Sequence, residues 1–197
     1  LTDDLGGTMA ANSDTLSRIL DGTLLTLARR GVRKLSMSDV GNQAGISRGT
    51  LYRYFKSKEE LLDAIAVHVE KGLLDELVQA VERRPQLDVR VQVVVEAMVY
   101  FSKTHPEAIQ VIAVEPGFGI GFIRQVFPEF VAVAERLLTP ALELTATVQS
   151  GAMSSAELSE LILRVAASTF FIPADDIDEI PRAIAALPCL QQTRLAG

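Results

Sequence analysis

Residues Ser36 to Leu61 (SMSDVGNQAGISRGTLYRYFKSKEEL) constrain this chain more than any other stretch, because they hold three helix starts and two stops. Ser36 is placed to N-cap a first helix, with Asp39 three residues on in the position of a capping-box carboxylate. Gly45 stops that helix, since glycine takes the left-handed conformation that a Cβ resists. Ile46 then packs back onto the helix just ended. Ser47 caps a second helix from Arg48 to Tyr54, and Ser57, with Glu60 three residues on, caps a third. Two short helices joined by a tight glycine turn make a helix-turn-helix.

The side chains sort by face. Leu51 and Phe55 lie four apart and pack against the first helix through Val40 and Ala44. That leaves Arg48, Gly49, Tyr52 and Arg53 facing outward. Glycine admits a close approach, and the arginines and tyrosine supply donors and a stacking face. Ser36, Ser38, Ser47, Thr50, Tyr54, Lys56 and Lys58 are of the kind that hold phosphate oxygens around such a helix. The plain alternative is a solvated helical hairpin, and the charge distribution speaks against it. Residues 29–58 carry eight Lys/Arg and one Asp, in a chain of 19 basic and 25 acidic residues with net charge −6. An acidic chain that collects its positive charge in one stretch has an electrostatic footprint there.

The rest of the chain reads as an apolar helical body. At 197 residues and 48% hydrophobic, it supports a small head on a larger body. It shows no signal-like segment and no uncharged apolar run of about 18 residues, and so is expected neither to be secreted nor to span a membrane. A single cysteine, Cys189, fits a reducing cytoplasm. Leu1–Asn12 lacks periodicity and any Lys or Arg, and reads as a mobile arm without a DNA contact. A helix over 13–30 ends at Gly31. Another runs from Ser57 to about Arg83, with Leu61, Ile65, Val69, Leu73 and Leu77 every four residues, roughly 39 Å long.

Residues 89–101 alternate like a strand at Val89, Val91, Val93 and Val95. A helix burying Val91, Val94, Val95, Met98 and Phe101 is the alternative, and it is preferred because no partner strand exists. Pro106 opens a short helix through Ala113. The segment EPGFGIGF (115–122) imitates a nucleotide-binding turn but lacks the third glycine at the helix-packing position. It reads as a flexible connection, either a plain loop or one with Phe118 and Phe122 gating a pocket. Further helices follow Pro128, start at Ser154 with Glu157 as box partner, and start at Asp178. The fold class is therefore all-α, with a head over 13–57 and a body over 58–197. An enzyme is not expected: His68, His105 and Cys189 make no nucleophile–base or metal constellation, and no catalytic residue, metal or cofactor is assigned.

The stretch resembles the helix-turn-helix of TetR-family (TetR/AcrR) transcriptional regulators, T-V-x-x-I-A-x-x-A-G-V-S-x-G-T-L-Y-x-Y-F-x-S-K-E-E-L, in order and without a gap. Arg18-Ile19-Leu20-Asp21 and Arg30-Gly31 are similar to that family's R-I-L-x-A…G. The resemblance covers about Thr15 to Leu62, and the later chain in layout only. Gly22 and Gly41 depart from it, standing where alanine is usual, each at about 1 kcal/mol of helix stability. It implies a DNA-binding repressor in the cytoplasm, working as a homodimer on double-stranded DNA at a palindromic operator. A small hydrophobic effector in the body would shift the long helix and the spacing of the two heads. It also places Met98, Tyr100, Phe101, His105, Phe118, Phe122, Phe127 and Phe130 around the effector, and Leu158, Leu161, Ile162, Val165, Ile180 and Ile184 in the dimer interface. The dimer has independent support, because one recognition helix buries too little surface for tight specific binding. The rival reading is a small-molecule-binding dimer without DNA binding, and the intact pattern from Arg48 to Lys58 argues against it.

Overall fold

A computed structural model describes residues 3–172 and 174–192, with side chains from Asn12 onward. Every regular element among these residues is a helix. In order they are α1 (Asp3–Lys34), α2 (Met37–Ala44), α3 (Arg48–Tyr54), α4 (Lys58–Arg83), α5 (Arg90–Thr104), α6 (Pro106–Val114), α7 (Pro116–Leu142), α8 (Ala146–Gln149), α9 (Ser155–Ser168) and α10 (Ile180–Ala185). Short 3-10 turns cover Ile177–Glu179 and Pro188–Leu190. The chain packs as two compact units. One runs through Val69 and takes back Glu107–Phe122; the other holds Glu70–Pro106 and the chain from Ile123 on. This differs from a division at residue 57/58: the first unit keeps the start of α4 and includes α6 and the first turns of α7.

In the first unit Ile19, Leu20, Leu24 and Leu27 of α1 bury against Leu35, Val40, Leu51, Phe55, Leu61 and Ile65, and Val111 of α6 joins them. α1 starts at Asp3, so residues 3–12 are helical where an arm was expected, while residues 1 and 2 lie outside the described chain. Extending a helix that tertiary packing has already nucleated is far easier than starting one, which lets a glycine-containing segment follow. Gly31 breaks α1 where the sequence placed its end, at φ 73° and ψ 168°, and one short turn follows to Lys34. Gly22 eases the approach of α1 to α2: a Cβ there would lie 3.0 Å from the Ala44 backbone nitrogen, tighter than ordinary contact. Gly41 has no such role, since its Cβ would meet only ordinary contacts from 3.4 Å.

The second unit buries Leu77, Val93, Val94, Met98, Phe130, Ala134, Leu138, Leu142, Leu158, Ile162, Leu163 and Ile184 in one core. The helix chosen for 89–101 is the observed one. It buries residues almost all round its axis, Val91, Val93, Val94, Val95, Ala97, Met98, Val99 and Phe101, and this is why no helical stripe shows in its sequence. Even Arg90 at its start is only 8% exposed. Its guanidinium donates to the carbonyls of Leu137, at 2.9 Å, and Pro85.

α7 overturns two expectations. The glycine-rich segment is the first part of a helix beginning at Pro116, and that helix passes through Pro128 and Pro140 without ending. Val126, Phe130, Ala134, Leu138 and Leu142, four apart, are all buried, and this packing outweighs the two prolines. By length and composition alone α7 could cross a membrane. Its charged residues Arg124, Glu129, Glu135 and Arg136, with that buried stripe, make it a core helix. Ser154 and Glu157 form the expected capping box. Asp178 does not cap the last helix: Asp176 caps the 3-10 turn before it, α10 starts from Glu179 without a side-chain cap, and Asp178 pairs with Lys103.

Candidate nucleic-acid interface

The turn between α2 and α3 is fixed at both ends by local hydrogen bonds. Ser36 Oγ accepts from the Asp39 N–H at 3.2 Å and donates to its carboxylate at 2.6 Å. Gly45 sits at φ 64°, and its N–H closes onto Asn42 O at 3.2 Å. Ile46 N–H follows onto Gly41 O at 2.9 Å. Ser47 Oγ then accepts from the Thr50 N–H at 3.1 Å, and the two hydroxyls lie 2.9 Å apart. Leu51 is fully buried and Phe55 nearly so, which sets the rotation of α3 about its axis.

That rotation leaves Arg48, Gly49 and Arg53 exposed, with Thr50, Tyr52 and Tyr54 half-buried. Nothing crowds Gly49: a Cβ there would meet only Ser47 Oγ, at 3.9 Å. Arg48 stacks over the Tyr52 ring at 5.3 Å, and Arg53 over the Tyr54 ring at 5.6 Å. Lys56 donates to Tyr52 O at 2.9 Å. Ser36, Ser38 and Ser47 are exposed at the starts of α2 and α3. Lys58 is engaged differently from a free phosphate ligand: its ammonium donates to Val32 O, beside the α1 break.

Sequence reasoning missed the residues that hold this unit from α1. Arg18 Nη2 donates to Ala44 O at 2.8 Å and Gly45 O at 3.2 Å, clamping the turn itself. Arg30 pairs with Asp39 at 2.7 Å, and Arg29 donates to Gln43 at 3.3 Å. Tyr54 donates its hydroxyl to Asn12 Oδ1 at 3.1 Å. The available signal was Gly22, four residues after Arg18, in a helix with no other reason to carry a glycine.

The eight residues expected around an effector do not share one environment. Met98, Phe101 and Phe130 are buried, Phe127 packs against the second unit's core under Arg164, and Tyr100 is exposed. His105 stacks on Phe101 with ring centroids 4.2 Å apart. Phe118 and Phe122 belong to the first unit, where Phe118 packs on the head's core. The expected interface also divides. Leu158 (1% exposed), Ile162 and Ile184 are core residues of the second unit, and Ile180 packs against that core. Only Leu161 and Val165, at 45% and 43% exposed, face outward. The inward residues of α9 are Leu158, Ser159, Ile162, Leu163 and Ala166, while Leu161 and Val165 form its exposed apolar pair.

Residues 19–65 match the family described as bacterial regulatory proteins, tetR family. Over 85 residues the chain is 25% identical to the nucleoid occlusion factor SlmA of Haemophilus influenzae, a match spanning 43% of this chain and 39% of that protein. Over 59 residues it is 39% identical to an uncharacterized HTH-type transcriptional regulator of Haemophilus influenzae, spanning 30% and 32%. The chain thus spans about two fifths or less of these relatives' length. In fold it is similar to the transcriptional regulator FadR from Bacillus subtilis, solved in complex with stearoyl-CoA. The TM-score is 0.68 at 16% identity, over 88% of this chain and 97% of that one.

Proposed function

On the premise that this chain belongs, through residues 19–65, to the tetR family of bacterial regulatory proteins, we propose that it is a ligand-responsive repressor that reads a palindromic operator as a homodimer. The observation that carries this is the outer side of α3. Arg48, Gly49, Tyr52 and Arg53 project from a helix whose rotation Leu51 and Phe55 fix and whose turn Arg18 clamps. Residues 13–57 would read DNA, with Ser36, Ser38, Ser47, Thr50 and Tyr54 placing the head on phosphates. Residues 58–197 would bind effector and partner subunit.

The dimer is supported by Leu161 and Val165, four apart on α9, with Phe171 and Ile172 also exposed just beyond its end. An effector would be apolar or amphipathic, in keeping with Met98, Phe101, Phe127 and Phe130 in the body. The stearoyl-CoA bound to the B. subtilis FadR makes a long-chain acyl-CoA the first compound to try here. Its binding would shift α4 and change the separation of the two heads.

Selection of bound fragments from random double-stranded DNA by the full chain tests the reading. The expected result is an enriched site of two inverted halves, with an affinity that stearoyl-CoA alters. By linkage, DNA would change the affinity for acyl-CoA by the same factor. Failure to enrich any sequence would overturn the DNA-binding proposal, while a single unrepeated site would overturn the dimeric one.

A further inference from the structure

We propose that Tyr52 is a positioning residue for Arg48: its ring holds the Arg48 guanidinium in the attitude that reads one guanine in each half of the operator. The inference rests on the DNA-binding reading above and adds to it a base and a mechanism of selectivity.

Two arginine–tyrosine stacks lie on α3, and they are not equivalent. In the Arg53–Tyr54 pair the tyrosine hydroxyl is bonded to Asn12 of α1, so that pair is fastened to the scaffold. In the Arg48–Tyr52 pair neither side chain has a hydrogen bond or ion pair among the described residues, and the stack is their one mutual restraint. Positions 48 and 52 are four apart, one turn above the other on the same face. The adjoining face carries the buried Leu51 and Phe55, so α3 cannot roll to carry the stack inward.

A free arginine loses much rotamer freedom when it docks, and that loss subtracts from recognition. A guanidinium at 5.3 Å from a ring centroid lies within cation–π range and is partly ordered before docking. The ring lies to one side of the guanidinium carbon, and no described residue takes any of its five N–H donors. Guanine presents O6 and N7 as two adjacent acceptors in the major groove, and a guanidinium edge matches them with two parallel hydrogen bonds. A phosphate contact would not need the guanidinium held beside the ring. An exposed stack adds little to folding, so its consequence falls on selectivity.

The test is competition binding of the selected site and its single-base variants by the wild-type chain, Arg48→Lys, Tyr52→Phe and Tyr52→Leu, with helicity checked by circular dichroism. In the wild type, replacing one guanine in each half should cost about tenfold or more. Arg48→Lys should flatten that position. Tyr52→Phe, which keeps the ring, should retain the guanine preference. Tyr52→Leu should cut the preference at that one position about two- to fivefold, with the others unchanged. If Tyr52→Leu instead weakens all sequences equally and leaves the guanine preference intact, Tyr52 is a backbone ligand and the inference is wrong. A selected site with no guanine dependent on Arg48 would overturn the inference and leave the DNA-binding reading standing. Failure of the wild type to select any DNA would remove both.

Discussion

In the first compact unit the helix ends are tied by named polar contacts, whereas in the second the helices are held mainly by apolar packing. In the head, Ser36, Ser47 and Ser57 start helices, Gly45 ends one, and Arg18, Arg30 and Lys58 bridge between them. In the body, α5 and α7 are fixed by residues such as Val94, Met98, Ala134 and Leu138, and the buried cation Arg90 serves two backbone carbonyls. Polar ties fix directions to within a hydrogen bond, as a surface that must match a rigid duplex requires. Apolar packing fixes volume and tolerates rearrangement, as the proposed response to a ligand would require.

The comparison is broken most easily at the outward face of α9. Leu161→Asp or Val165→Asp would bury an unpaired charge in the dimer and should weaken association by more than about a hundredfold, while helicity stays at the wild-type level. Leu158, one turn away but fully inside the core, should behave differently. Leu158→Ala should cost about 2–5 kcal/mol of folding stability and leave any dimer that folds intact. Sedimentation with thermal melts separates the two. A wild type that is monomeric at micromolar concentration would remove apolar self-association from the body's account.

The same contrast explains what was legible in the sequence. Caps and the glycine turn are one-residue signals read within three or four positions, so α2, α3 and the starts of α4 and α9 stood out. The body's signals were misleading for physical reasons. Pro128 and Pro140 each cost a helix interior about 3 kcal/mol in isolation, and so Pro128 read as a boundary. A buried stripe from Val126 to Leu142 outweighs them. Gly117, Gly119 and Gly121 read as a loop, yet Gly119 is where α7 presses on α6: a Cβ there would lie 3.0 Å from the Ile112 Cα. α9 has apolar residues at 158, 161, 162, 163 and 165, and composition alone does not say which of these face inward. The clamp from Arg18 was invisible because it joins residues 26 and 27 positions apart.

A smaller effect sharpens the account of the head. Lys58 sits where a phosphate ligand was expected, but its ammonium is on Val32 O. Hydrogen bonds to charged groups contribute about 1.5–3 kcal/mol, and partial exposure puts this one near the low end. Lys58→Ala should therefore lower thermal stability by about 1–2 kcal/mol and leave the salt dependence of DNA binding nearly unchanged. Arg53→Ala, exposed and stacked on Tyr54, should do the reverse and reduce the salt slope by about one. Titrations at several salt concentrations, paired with melts, decide it. A reduced slope in Lys58→Ala would mean that the lysine leaves Val32 to meet DNA.

The smallest expected effect tests whether the two units differ in their ends or only in their middles, since each has a glutamate at a helix start held below its ordinary value. Glu59, at the start of α4, is held below the usual carboxylate range chiefly by its own backbone N–H and then by the Ser57 hydroxyl. Glu157, at the start of α9, is lowered first by the Ser154 N–H and then by the Ser154 hydroxyl. A carboxylate whose folded value is lowered contributes stability that is fully present above its ordinary value and fades as pH falls through the lowered one. Both helix starts should therefore loosen only in acid, below the ordinary carboxylate range, and by similar small amounts because both groups are fully exposed. Carboxyl titrations followed by NMR should put Glu59 and Glu157 below the ordinary glutamate value. Ser57→Ala and Ser154→Ala should each move only their own glutamate back toward the ordinary value, leaving part of the shift with the backbone N–H that remains. If Glu157 titrates at the ordinary glutamate value while Glu59 does not, the cap of α9 does not hold its carboxylate in solution as the cap of α4 does.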